Sequence, residues 1–131
     1  MFNRRKQPPI KSLIAHGIHI AGNVTFTDGL RIDGAMVGDI RADEDRPSIL
    51  VVSESATITG AIYADHIIVN GQVRGPIHAQ VMLELQPKAR IEGDVHYRAL
   101  EMHQGATISG SMHPHAAGEA KPTLKLAANN K

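Results

Sequence analysis

The sequence contains no cysteine and no tryptophan, and only 3% of its residues are aromatic. Without cysteine there are no disulfides and no thiolate metal ligands, which fits a reducing compartment. With so few rings, the core has to be assembled from Ile, Val, Leu, Met and Ala, a set suited to thin repeated layers. No apolar run approaches the roughly 18 residues that a spanning helix needs, and Ile49-Leu-Val-Val52 is among the longest. Pro8-Pro9 follows the basic N-terminus where a signal peptide would carry its apolar centre. The chain is therefore expected to be made and kept in the cytoplasm. Charge of one sign is also missing, with 14 Lys and Arg against 13 Asp and Glu. Net charge thus points to no partner, and no nucleic-acid ligand is expected.

The distribution of charge is more informative than its sum. Residues 1–11 carry Arg4, Arg5, Lys6 and Lys11 without an acid, and the first carboxylate is Asp28. Residues 12–115 hold seven basic and twelve acidic side chains, a net of −5. A basic tail ahead of an acidic body suggests a tail made for an anionic surface.

One pattern recurs: an aliphatic, any residue, Gly, any residue, an aliphatic. It appears as Ile20-Ala-Gly-Asn-Val24, Met36-Val-Gly-Asp-Ile40, Ile58-Thr-Gly-Ala-Ile62, Val73-Arg-Gly-Pro-Ile77, Ile91-Glu-Gly-Asp-Val95 and Ile108-Ser-Gly-Ser-Met112. The glycines of these copies are 16, 22, 15, 18 and 17 residues apart, a mean of about 17.6. That is the length of three short strands and three corners, one turn of a solenoid. The long step holds Ala42-Asp-Glu-Asp-Arg-Pro-Ser48, polar and turn-rich, and reads as a loop insertion that leaves the rungs in register. Overlying the short repeat, Ile20–Ala42 aligns with Ile58–Ala79 with a one-residue gap.

Alternate side chains of a strand face one side. The two aliphatics and the central Gly are therefore expected to share the inner face, the Gly leaving room where the chain bends. Triplets such as Ile67-Ile-Val69 are strongly β-prone. Val81–Arg90 alone resembles a helix, and Leu83-Glu-Leu85 followed by Pro87 argues against it. A β-sandwich would need hairpin turns every 8–12 residues or so, which the 17-residue step does not supply. The expected fold is all-β: a single-stranded parallel β-helix of about six rungs over residues 16–115, with disordered tails at 1–15 and 116–131.

Three blocks resemble the bactofilins, bacterial β-helical cytoskeletal proteins: Gly29-Leu-Arg-Ile-Asp-Gly-Ala-Met-Val-Gly-Asp-Ile40, Ile67-Ile-Val-Asn-Gly-Gln-Val-Arg-Gly75 and Leu85-Gln-Pro-Lys-Ala-Arg-Ile-Glu-Gly-Asp-Val95. The resemblance covers residues 13–112. It implies a right-handed, three-faced β-helix that polymerises without nucleotide or other cofactor into non-polar filaments. It further implies filaments on the inner face of the cytoplasmic membrane that organise cell-wall enzymes or cell shape. Many members begin with a short Met-Phe segment that reaches the membrane, so Met1 and Phe2, with Arg4, Arg5 and Lys6, are the expected membrane contacts. Some members carry an aromatic near the last rung; this chain has none after Tyr97, so its C-terminal contact is expected to be aliphatic.

Enzyme chemistry is sparse. There is no Gly-x4-Gly-Lys-[Ser/Thr] loop, no strand-to-helix Gly-x-Gly-x-x-Gly and no Gly-x-Ser-x-Gly turn. No catalytic residue is assigned. His78, His96 and His113 each follow the last aliphatic of a motif, so they are expected to stack as an outward column, about 4.8 Å apart. Such a column is a polar ladder with coupled protonation, or a set of ligands for Zn²⁺ or Ni²⁺. A β-helix enzyme built on that column, of the γ-carbonic-anhydrase or acyltransferase kind, is the alternative function. The six-residue aliphatic register of hexapeptide acyltransferases holds at Ile14, Ile20, Phe26 and Ile32 and fails at Gly38.

The terminal rungs of a solenoid expose unpaired backbone and apolar core, and repeat proteins normally cap them. The polar flanks here offer no cap. Leu13, Ile14, Ile18 and Ile20 at one end, and Leu100, Met102, Ile108 and Met112 at the other, are the expected polymerisation surfaces between copies of the chain.

Overall fold

A computed structural model of the chain describes residues 8–115. Within them there are fifteen strands and no helix, and every strand pairing is parallel. The chain winds through three faces in turn. The first face stacks Ile10–Ile14, Asp28–Ile32 and Ser48–Val52, followed by residues 66–69, 82–85 and 99–102. The second stacks His19–Ala21, Ala35–Val37, Thr57–Thr59, Gln72–Arg74, Arg90–Glu92 and Thr107–Ser109. The third stacks Val24–Phe26 and Ile40–Ala42, residues 62–64, 77–79 and 95–97, and Met112–Pro114. Six strands per face make the expected six rungs of an all-β solenoid.

The register is the one that the glycine spacing dictates. Val24 pairs with Ile40, Ile40 with Ile62, Ile62 with Ile77, Ile77 with Val95 and Val95 with Met112. The second face repeats the arrangement with Ile20, Met36, Ile58, Val73, Ile91 and Ile108. Interior members of these columns have essentially no exposed surface. Each contributes about 1.5–3 kcal/mol through burial. The insertion between Ala42 and Ser48 carries no strand, and Ser48 resumes the first face opposite Asp28. Ser48 is also the one buried polar residue of the described chain, and its Oγ accepts the amide hydrogen of Asp65 at 3.0 Å. The Val81–Arg90 segment is extended through Leu85, within Ile77–Leu85.

Two expectations are corrected. The strand Ile10–Ile14 lies inside the segment expected to be a disordered tail, because its backbone pairs with Asp28–Ile32. Polar side chains at Lys11 and Ser12 hid this from the hydropathy pattern, since a terminal rung needs no full inner face. The glycines are the second correction. Gly93 lies outside the strands, at a half-exposed corner between the second and third faces. Its φ is +140°, and a Cβ there would stand 2.6 Å from the carbonyl oxygen of Gly75 on the preceding rung. Backbone conformation and backbone-to-backbone approach demand glycine here, rather than crowding of the core.

The residue after these glycines has its own reason. Asn23 Oδ1 accepts the amide hydrogen of Asp39, Asp39 Oδ1 that of Ala61, and Asp94 Oδ1 that of Ser111, each at 2.9 Å. A short Asx acceptor thus ties one corner to the corner of the next rung.

Candidate functional site

Strand order sets the chemistry of the two ends. Ile10–Ile14, His19–Ala21 and Val24–Phe26 form the first rung, and residues 99–102, Thr107–Ser109 and Met112–Pro114 form the last. Among the described residues no element covers their outer edges, so each end presents one strand edge from all three faces. Unpaired N–H and C=O groups in such a row are a template for another strand.

All four residues expected at the C-terminal end are the last members of inward columns. Leu100 follows Leu83, Met102 follows Leu85, Ile108 follows Ile91 and Met112 follows Val95. Leu100 and Ile108 are half-buried, while Met102 and Met112 are each 44% exposed. Those two thioethers are unusual for core-column residues in being left in water. The N-terminal end is less uniform. Ile20 opens the second-face column and is half-buried, and Ile18 is 43% exposed. Leu13 is 55% exposed, but it pairs with the exposed Arg31 and so belongs to an outward column. Ile14 is only 8% exposed; a turn closed by Ile18 N–H donating to the carbonyl of Ala15 follows it directly. Hydropathy alone could not separate these directions. Val24 and Phe26 complete the end as half-buried residues packed on the core, and the position of Val24 before Ile40 in the glycine register is the signal that finds it.

The outward column of the third face is a stack of rings. Tyr63, His78, His96 and His113 lie face to face with centroids 4.5, 4.4 and 4.5 Å apart and ring planes within 11°. The Arg41 guanidinium caps the column, 4.0 Å from the Tyr63 ring centre. Tyr63 and Arg41 occupy the same motif position as the histidines, so the same rule places them. Burial lowers the pKa of His78, and the nearby His96, His115 and Arg41 lower it further. Burial also lowers that of His96, with His113 and His115 adding to the effect and Asp94 opposing it. Parallel rings send their nitrogen lone pairs outward in parallel planes. They do not converge on one point, as a tetrahedral ion requires. The column is therefore a stacked ladder and does not form the three-histidine centre of the enzyme alternative.

A second cluster was not visible as such in the sequence. Glu84 and Glu101 are direct neighbours on adjacent rungs of the first face, and His103 follows. The His103 Nε2 lies 3.3 Å from Glu84 Oε2 and 3.2 Å from Glu101 Oε2. One ligand atom from each falls within 4.8 Å of the others. The imidazole is hydrogen-bonded to Glu84 and lies beside Glu101, so in its protonated form it offsets the repulsion between the two carboxylates. The one-rung spacing of Glu84 and Glu101 is the signal that pairs them. Met1, Phe2, Arg4, Arg5 and Lys6 lie outside the described residues. No helix among those residues is long and apolar enough to cross a membrane.

Comparison with known proteins agrees with this geometry. A family described as "Bactofilin: Polymer-forming cytoskeletal" matches residues 12–113. The chain is 27% identical over 111 residues to Bactofilin BacO of Myxococcus xanthus (strain DK1622), an alignment covering 85% of each chain. No solved structure matches the chain significantly.

Proposed function

The chain belongs to the bactofilin family of polymer-forming cytoskeletal proteins, and from that premise we propose that its solenoids join end to end into filaments, without nucleotide. The observation that carries this reading is the pair of open ends. Each has unpaired strands on all three faces and core-column side chains that lack a next rung. Joining two ends continues the strand ladders and buries Leu100, Met102, Ile108 and Met112, at about 1.5–3 kcal/mol for a fully buried side chain.

The filaments lie on the inner face of the cytoplasmic membrane through Met1, Phe2, Arg4, Arg5 and Lys6, and there scaffold cell-wall enzymes or other membrane proteins. The support is the family together with the basic segment ahead of a body of net charge −5. In this reading the protein is a structural polymer and not an enzyme. The test is co-sedimentation with phosphatidylglycerol vesicles of the full chain and of a variant lacking residues 2–6. The variant is expected to polymerise and stay in solution, whereas the full chain pellets with the vesicles. Equal vesicle binding by both removes the membrane role and leaves a polymer without that attachment.

A further inference from the structure

The insertion at residues 43–47 interrupts the shortest connection that the solenoid allows, and nothing in the rungs requires it. At the equivalent corner of a later rung, Asp65 alone separates Ala64 from His66. The inserted residues include three successive acids, Asp43, Glu44 and Asp45, all exposed. Together with the first rung they border an open cleft of about 860 Å³ whose walls include Lys11, Phe26 and Ala42. The cleft thus has an apolar part, the half-buried Phe26 beside the buried Ala42, and a lip whose three acids outnumber the lining cations Lys11 and Arg41.

Local cations neutralise that lip only in part. Lys11 and Arg46 both pair with Asp28, at 3.1 and 3.9 Å, and Arg41 reaches Glu44 only at 4.0 Å. Among the described residues no basic group pairs with Asp43 or Asp45. Asp43 Oδ1 instead accepts the amide hydrogen of Asp45.

The chain enters the solenoid beside this cleft. Ile10 pairs with Gly29, and Gly29 with Ile49, directly after the insertion. The entering chain is therefore two strand spacings from the end of the acidic loop, about 10 Å. Residues 4–6 precede Pro8 by two to four positions, a reach of about 7–14 Å when extended. They comprise Arg4, Arg5 and Lys6, and Phe2 lies just beyond. Charge, polarity and reach all match.

We propose that the N-terminal segment of the same chain docks in this cleft, with Phe2 against Phe26 and Ala42 and with Arg4, Arg5 and Lys6 on Asp43, Glu44 and Asp45. The acidic loop and an anionic lipid surface then compete for one set of cations. The competition rests on the membrane reading above; the docking does not. A single chain keeps its tail folded back, and a filament offering many tails at once overcomes the weak cis contact by avidity. Exposed ion pairs of this kind are individually weak and screened by salt, as a reversible latch needs to be.

Carbodiimide coupling of the full chain without lipid, followed by peptide mapping, tests the docking. Lys11 and Asp28 provide an internal reference, since they already lie 3.1 Å apart. Lys6 is expected to couple to Asp43, Glu44 or Asp45, and within one chain when isotopically light and heavy protein are mixed. The docking is overturned if the reference pair couples while Lys6 does not, couples evenly to acids over the whole body, or couples between copies. In parallel, Asp43→Asn/Glu44→Gln/Asp45→Asn is expected to bind phosphatidylglycerol vesicles about three- to tenfold more tightly than the unaltered chain. Glu54→Gln/Glu92→Gln/Glu119→Gln, the same charge change elsewhere, controls for net charge. An equal gain in both variants overturns the competition. Coupling at the loop with no vesicle binding by any variant overturns the membrane reading and leaves the docked segment standing.

Discussion

At the scale of single residues, Gly93 and the ring ladder each tie stability to a specific local contact. Gly93 combines φ of +140° with a carbonyl of the preceding rung where a side chain would start. Gly93→Ala should therefore cost about 1–3 kcal/mol. Its neighbour Glu92 is 55% exposed and 3.6 Å from Arg74. Such a surface pair contributes little, so Glu92→Gln should leave the melting temperature nearly unchanged. Equal melting temperatures for the two variants would contradict the role given to the corner. The ladder makes stability depend on pH. His78 and His96 both have pKa values below the ordinary 6.5, so folding favours their neutral forms. Their contribution is complete above 6.5 and is lost as pH falls through that value towards the lowered folded ones. Protonation would also place like charges along rings 4.4 Å apart, with Arg41 already at the head of the column and Asp94 offsetting near its foot. Melting temperature should fall between pH 7.5 and 5.5, and His78→Gln/His96→Gln should flatten that slope. An unchanged slope in the double variant would mean that the ladder is not the titrating element.

At the scale of strands and corners, the sequence shows which features of such a solenoid can be read and which cannot. The spacing from Gly22 to Gly110 specifies which strands pair, because the motif carries its own corner and two inward side chains. It also places the histidine column, since a fixed offset from the motif fixes the face. It does not reveal the strand Ile10–Ile14, whose polar Lys11 and Ser12 break the pattern. Nor does it separate Leu13, which points outward, from Ile14, which is buried, because two adjacent aliphatics look alike until register is known. The loop is a further element-scale test. Replacing Asp43–Pro47 by two glycines while keeping Ser48 should preserve the fold at a cost below about 1 kcal/mol. Loss of the cooperative transition in calorimetry would show that the insertion is part of the rung. The terminal strands give the corresponding test of assembly. Met102→Glu/Met112→Glu should yield folded, short species, because every joint made by a C-terminal end would bury unpaired charge. Filaments of normal length in sedimentation, with a normal circular dichroism spectrum, would place the joint elsewhere.

At the scale of the whole molecule, weak local terms become firm through repetition. On the membrane reading proposed above, Arg4, Arg5 and Lys6 near an anionic leaflet would contribute about 1 kcal/mol each, and partial insertion of Phe2 and Met1 would add about 2–4 kcal/mol. Ordering the tail subtracts from this, which leaves a single chain with micromolar to millimolar affinity. A polymer would supply the avidity that one chain lacks, so on that reading membrane attachment by the N-terminal segment depends on assembly at the open ends. The most direct measurement is cryo-electron microscopy of the full chain assembled in nucleotide-free buffer. End-to-end joining predicts filaments in which strands run across the filament axis and repeat every 4.7–4.9 Å or so without interruption through the joint. Filaments held by contacts between the solenoid faces, with the end strands left unpaired, or assembly that required ATP or GTP, would contradict it.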